Sequence, residues 1–368
     1  MPHLFDSLKL REVVLPNRIG VTPMCQYSAT DGMADDWHFV HYGSRAVGGA
    51  GLVVIEATAT SPEGRISPSD LGLWEDRQIE PLARIARFTT AHGSVPSLQL
   101  SHAGRKASKT RNWRVGSEGQ RTLDSNSGGW ATYGPSAMSF GEGHAIPEEL
   151  DVGIIRRIIS DFAAAADRAL EAGIKVLEVH GAHGYLLHQF LSPLSNQRQD
   201  GYGGSFENRC RFTLEVVAAV RDRWPERLPL LVRLSAHDWA EGGWSLDETV
   251  ELSGILRGMG VDLIDVSSGG LIQGTAIPTG PGYQTAFSAR VRAETGVNTA
   301  TVGLISSAHQ ADHIIRTGQA DLVFIGREAL SDPYWPLRAA RTLGHPSPWP
   351  QQYLRAAPAG SEPRQALS

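Results

Sequence analysis

The chain has 368 residues, 41% of them hydrophobic and 20% charged, which is enough apolar material for a large core and excludes a disordered or fibrous protein. Lysine and arginine number 34 against 39 aspartates and glutamates, a net charge of −5 with no long single-sign run, which argues against a nucleic-acid footprint. Only Cys25 and Cys210 are present, too few within one chain for a disulfide framework or a four-cysteine iron–sulfur or zinc cage.

From the N-terminus, Met1–Asp6 has neither the basic start nor the apolar centre of a signal peptide, and no run of 18 apolar residues occurs, so the expected location is cytoplasmic. Leu8–Leu10 and Val13–Leu15, flanking Arg11-Glu12, predict a small hairpin. Short runs rich in β-branched and apolar residues then predict eight strands, at 18–23, 51–56, 95–100, 176–180, 230–235, 263–267, 299–303 and 322–326. Between them lie helical patterns at 81–92, 154–172, 207–224, 246–259, 287–295, 307–317 and 335–343. Gly93, Gly173, Gly260, Gly296, Gly318 and Gly344 follow such patterns, as glycine does at helix ends. The repeating unit is βα, and the sheet is expected to be parallel.

Eight such units suit either a closed barrel or a long doubly wound sheet. Pro23-Met24-Cys25-Gln26-Tyr27 stands where a dinucleotide-binding sheet would carry G-x-G-x-x-G, which favours an α/β protein of the closed (β/α)8 kind with the hairpin plugging its N-terminal end. Residues 101–149, rich in Gly, Ser, Asn and Trp, predict a lid or small subdomain after strand three. Residues 1–355 then form one domain, and the small, polar segment 356–368 is expected to be a disordered tail.

In a barrel the chemistry sits at the C-terminal strand ends, where the loops converge on one mouth. Cys25 and Tyr27 follow strand one there, Ala57 strand two, Gln99 and His102 belong to strand three, and His180, His183 and Tyr185 to strand four. Arg233 lies on strand five, Ser267-Ser268-Gly269-Gly270 end strand six, Gly303 strand seven, and Gly326-Arg327 strand eight. The last two glycines either turn the chain or leave bare N–H groups for a phosphate, and Arg327 beside them favours the phosphate. Arg233, among apolar neighbours, needs an anionic ligand or a neighbouring carboxylate. His180-Gly181-Ala182-His183-Gly184-Tyr185 offers two imidazoles and a phenol, able to bind a carbonyl oxygen and supply a proton. Zinc is the competing reading, but further ligands on other strands and an H-x-H on strand one are missing. His183 or His188 could instead be structural, and Cys25 a small buried hydrophobe. Only Lys9, Lys106, Lys109 and Lys175 are available for Schiff-base chemistry; Lys175 is at the wrong end of strand four, and Lys106 and Lys109 read as loop groups.

Several of these stretches together resemble old yellow enzyme. They are Leu15-Pro16-Asn17-Arg18, Pro23-Met24-Cys25-Gln26-Tyr27, Gln99-Leu100-Ser101-His102-Ala103-Gly104-Arg105-Lys106, His180–Tyr185 and Asp200-Gly201-Tyr202-Gly203-Gly204-Ser205-Phe206-Glu207-Asn208-Arg209. The likeness runs from about Leu4 to Arg355, and Cys25, Tyr27 and His183 are similar to the bacterial thermophilic-like subclass. It implies a TIM barrel binding FMN non-covalently, reduced by NADPH or NADH, that reduces activated alkenes such as α,β-unsaturated ketones and aldehydes. By the same resemblance Thr22, Pro23, Met24, Cys25, Ala57, Gln99 and Arg233 would contact the flavin ring, with Gly303, Gly326 and Arg327 at the phosphate. His180 and His183 would hold the substrate carbonyl oxygen while hydride passes from flavin N5 to the β-carbon. Tyr185 would protonate the α-carbon, and Tyr27 would add a substrate contact. Arg355, in Gln352-Tyr353-Leu354-Arg355, would reach a neighbouring subunit's site in a homodimer or homotetramer. Relatives that add an iron–sulfur site and nucleotide-binding domains are excluded in that form by two cysteines and the chain length. The rival from another class is a metal-dependent hydrolase on a bare barrel.

Overall fold

The computed structural model describes residues 1–111, 113 and 121–367. Part of the expected lid, at 112 and 114–120, lies outside the described residues. Eight parallel strands close on themselves: Ile19–Val21, Leu52–Ala59, Val95–Ser101, Val176–Gly181, Leu230–Ser235, Leu263–Ser267, Asn298–Thr301 and Leu322–Ile325, with the eighth paired to the first. All eight lie where the β-branched runs place them. Strand two is longer than the sequence pattern suggests, because the register slips between Ile55 and Ala57 and pairing then resumes to Ala59. The six glycines expected to end helices all have positive φ, between 65° and 87°, a conformation that L side chains rarely adopt.

The hairpin Leu8–Leu10 with Val13–Leu15 packs Leu8, Leu10 and Leu15 onto the inward-facing Leu52, Val54, Val95, Val176, Leu231, Leu263, Ala300, Leu322 and Phe324. These residues make an apolar floor inside the barrel. Strand one contributes Gly20, where a Cβ would lie 2.4 Å from the Phe324 ring. The missing side chain is what lets that ring fill the interior.

A helix at Asp36–Val47 was not expected. Asp35 caps it, accepting from the His38 N–H, and its buried face is His38, His41, Tyr42, Gly43, Arg45 and Ala46. Short helices at Leu186–Leu191 and Arg327–Ser331 follow strands four and eight directly. The lid region holds a two-stranded pair, Tyr133–Gly134 with Glu148–Glu149, and leads into the long helix Val152–Glu171, capped by Asp151.

The expectation of a disordered tail needs correcting. Pro363 pairs with Trp349, and the Arg364 guanidinium donates to the carbonyls of Ala46 and Val47, both at 2.9 Å. It lies in space left by Gly49 and Gly93, whose Cβ atoms would come within 2.6 and 2.8 Å of it. The Leu367 N–H reaches the Thr90 carbonyl at 3.1 Å. A cation on the open carbonyls at a helix C-terminus satisfies them and complements the helix dipole.

Candidate active site

Above the apolar floor the same strands turn polar. In register on adjacent strands, Gln99 Nε2 donates to Glu178 Oε1 at 2.7 Å, and Arg233 Nε lies 3.0 Å from Asp265 Oδ2. Burial, with Asp265 nearby, raises the Glu178 carboxyl to about 8, and burial raises Asp265 to about 6 against the pull of Arg233. The carboxylate partner weighed for Arg233 is therefore present. The same guanidinium also borders a cavity of about 530 Å³ that Thr22, Met24, Gly303, Gly326 and Arg327 line.

That cavity has the properties of a cofactor cradle. Thr22 Oγ1 is buried without a hydrogen-bond partner among the described residues, and the only partner of Arg233 Nε among them is the Asp265 carboxylate. Gly303 has φ 129°, and a Cβ there would lie 2.9 Å from the Tyr283 ring; one on Gly326 would lie 3.3 Å from Thr22. The lining is thus bare where a flat ligand and its phosphate need room, with the unpaired Thr22 hydroxyl and the Arg233 guanidinium beside it and Arg327 at the exposed edge. These residues fit FMN.

Strand one runs directly into the mouth. Glu56, displaced by the slip in strand two, accepts from the Gln26 N–H at 2.8 Å and from the Tyr42 hydroxyl at 2.9 Å, so it fastens the segment carrying Cys25. Cys25 is partly exposed, and burial of its sulfur, with Asp70 and Glu56 near, holds the thiol well above its usual range. It is a thiol at neutral pH. Tyr27, Cys25 and Tyr185 pack together with Ile66, Ala103 and Ala107. Ala57 and Gln99 are buried on the neighbouring strands.

His180 stands between the other two reactive groups, its ring centre 5.2 Å from His183 and 5.0 Å from Tyr185, both edge to face. Its Nδ1 accepts from the Ala182 N–H at 3.4 Å, which leaves the proton on Nε2. His183 Nε2 is held 2.7 Å from Ser267 Oγ. Burial, then the nearby Arg233, pushes both imidazoles well below their usual range, so both are neutral donors rather than cations. Burial likewise pushes the Tyr185 phenol well up.

Lys106 is the largest omission from the sequence reading. It is no loop group: its Nζ donates to the carbonyls of His183 and Gly270, each at 2.7 Å, and sits 5.2 Å from the Tyr185 ring centre. Lys109 is also buried, and burial lowers it to about 8. Two lysines three residues apart in a chain with only four were the available signal. Arg355 is exposed on the turn Gln351–Ala356 and makes no hydrogen bond or ion pair among the described residues. No three His, Cys, Asp or Glu side chains gather into a metal site among the described residues.

Residues 3–345 match the family model for the NADH:flavin oxidoreductase / NADH oxidase family. The chain belongs to the old yellow enzyme family. It is 44% identical to an NADPH dehydrogenase of Listeria innocua, over 97% of this chain and 99% of that protein, and 45% identical to one of Bacillus pumilus, over 96% and 98%. Among solved structures, morphinone reductase superposes with a TM-score of 0.78 at 28% identity, covering 94% of this chain and 92% of that one. An old yellow enzyme homologue from Zymomonas mobilis gives 0.78 at 25%, over 93% of each chain. This member of the old yellow enzyme family is an FMN-dependent NADPH oxidoreductase, and the hydrolase alternative falls with that assignment. Among the described residues no helix is long and apolar enough to cross a membrane.

Proposed function

We propose that the mouth reduces activated C=C bonds of α,β-unsaturated carbonyl compounds. The observation that carries this reading is the constellation at the end of strand four, with one imidazole flanked by a second imidazole and by a phenol that packs in an apolar cluster. When bound, FMN would supply the hydride, with NADPH as its source. Thr22, Pro23, Met24, Cys25, Ala57, Gln99 and Arg233 would hold the ring of the cofactor, and Gly303, Gly326 and Arg327 its phosphate.

His180 donates a hydrogen bond from Nε2–H to the substrate carbonyl oxygen, where negative charge grows as the β-carbon is reduced. His183 joins it by exchanging its contact with Ser267 for one with that oxygen. Neutral imidazoles suit this role, because a neutral N–H stabilises developing charge without first transferring its proton. Tyr185 then protonates the α-carbon. Its raised pKa makes it a weak acid that yields its proton only to a strong base, so it is spent on the carbanion and not on solvent. Tyr27 packs beside the substrate, and Arg355 completes the pocket of a neighbouring subunit in a homodimer or homotetramer.

Stopped-flow kinetics on Tyr185→Phe with cyclohexenone test the reading. The alkene half-reaction is expected to fall by about 10²–10⁴-fold, while reduction of the flavin by NADPH changes far less. Equal slowing of both half-reactions would remove Tyr185 as the proton donor.

A further inference from the structure

The turn that carries His183 and Tyr185 is held in an unfavourable conformation. His183 has φ 57° and Gly184 φ 70°, two successive left-handed residues, the first of them not glycine. Such a turn persists only where its surroundings determine it. Ser235 Oγ accepts from the His183 N–H at 2.9 Å, and Gln189 Nε2 donates to the Gly184 carbonyl at 2.7 Å. The Gly184 N–H donates to Nδ1 of His188, at 2.9 Å.

That last contact dictates the state of His188. With Nδ1 accepting, its proton must lie on Nε2, which is 2.8 Å from Asp238 Oδ1. Both side chains are fully buried, and neither of these two atoms has another partner among the described residues. The other Asp238 oxygen, Oδ2, receives the Ser192 hydroxyl at 2.6 Å and the Trp244 N–H at 2.8 Å, so the carboxylate cannot rotate freely.

We infer that His188 and Asp238 are positioning residues for the reaction: Asp238 fixes the tautomer of His188, and that tautomer holds the His183-Gly184 turn and so aims His183 and Tyr185. Neither touches the cavity. The inference rests on the proposed roles of the His180, His183 and Tyr185 side chains and adds the device that orients them. Its chemical signature is specific. In Asp238→Asn, which keeps size and shape, the amide oxygen accepts from Ser192 and Trp244 and turns its NH2 towards His188 Nε2. The imidazole must then move its proton to Nδ1, where it confronts the Gly184 N–H, donor against donor. In His188→Asn, by contrast, the amide oxygen stands near the old Nδ1 position and still accepts from Gly184, with no tautomer to invert.

The test measures binding of 4-chlorophenol to the FMN-loaded enzyme by flavin absorbance, together with the alkene half-reaction. Asp238→Asn is expected to retain FMN and to weaken the phenol at least tenfold, with a parallel loss in the alkene step. His188→Asn is expected to stay within about threefold of the parent, and adding Asp238→Asn to it should then cost no more than about threefold again. Equal losses from Asp238→Asn in the parent enzyme and in the His188→Asn variant would overturn the tautomer argument. Should Asp238→Asn fail to fold, His188→Asn against His188→Leu decides: retention in the first and at least tenfold loss in the second support the inference, and equal loss overturns it. His180→Ala is the control. If it leaves phenol binding unchanged, the substrate reading of the site fails; if it weakens the phenol while Asp238→Asn does not, only the dyad fails.

Discussion

The two ends of the barrel interior are built by the same eight strands and follow opposite rules. At the N-terminal end, Leu52, Val95, Val176, Leu231, Leu263 and Leu322 meet the hairpin leucines and leave no polar atom to satisfy. A few residues further along those strands, Gln99, Glu178, His180, Arg233 and Asp265 occupy the equivalent inward positions, equally buried, and Glu178 Oε2 and Asp265 Oδ1 have no hydrogen-bond partner among the described residues. Burying such groups costs stability unless each finds a partner. The floor therefore supplies stability that the mouth uses, and the orphaned groups of the mouth mark where a ligand belongs.

Substitutions sharpen that division. Leu263→Ala removes floor volume and is expected to lower unfolding free energy by about 2–5 kcal/mol, measured by urea denaturation, while the visible spectrum of bound FMN stays unchanged. A shifted flavin spectrum would show that the two ends are mechanically coupled. His180→Ala is expected to leave stability nearly intact and slow alkene reduction by about 10²–10³-fold, equivalent to roughly 2.7–4 kcal/mol, in single-turnover kinetics. A rate within threefold of the parent would remove His180 as the main donor to the substrate oxygen. Arg327→Ala is expected to weaken FMN by about 1.5–3 kcal/mol in a fluorescence titration, since a charge-assisted contact is lost while the glycine N–H groups stay. Unchanged affinity would place the phosphate elsewhere. The smallest effect is expected from Arg355→Ala, a severalfold rise in alkene KM with FMN retained, and an unchanged KM would separate that arginine from any neighbouring pocket.

The strands and most helices were legible because each is declared locally, by β-branched runs, apolar periodicity and a glycine at the helix end. The helix Asp36–Val47 was not, because the face it buries carries His38, His41, Tyr42 and Arg45 where an apolar stripe would be. His38 bonds the capping Asp35 and Arg45 the carbonyl of His41, while Tyr42 finds its hydrogen-bond partner outside the helix, on Glu56. Lys106 was misread for the same reason. Its partners are carbonyls of residues 183 and 270, which no window around position 106 contains. The tail was missed because Arg364 is anchored by helix ends and glycine gaps more than 270 positions away. The members of the candidate site that could be named from the sequence are those carried by contiguous motifs. His188, recognised only as a possible structural histidine, shows what motifs omit: its partner Asp238 lies 50 residues on and gains meaning only through the His183-Gly184 turn that His188 holds.

The hairpin floor also bears on hydration. With Leu8, Leu10 and Leu15 sealing one end, water reaches the buried Glu178 and Asp265 carboxyls from the mouth side. A ligand filling the mouth would therefore set how far this carboxyl pair stays in contact with water, which makes the floor a part of the site's electrostatics as well as of its stability.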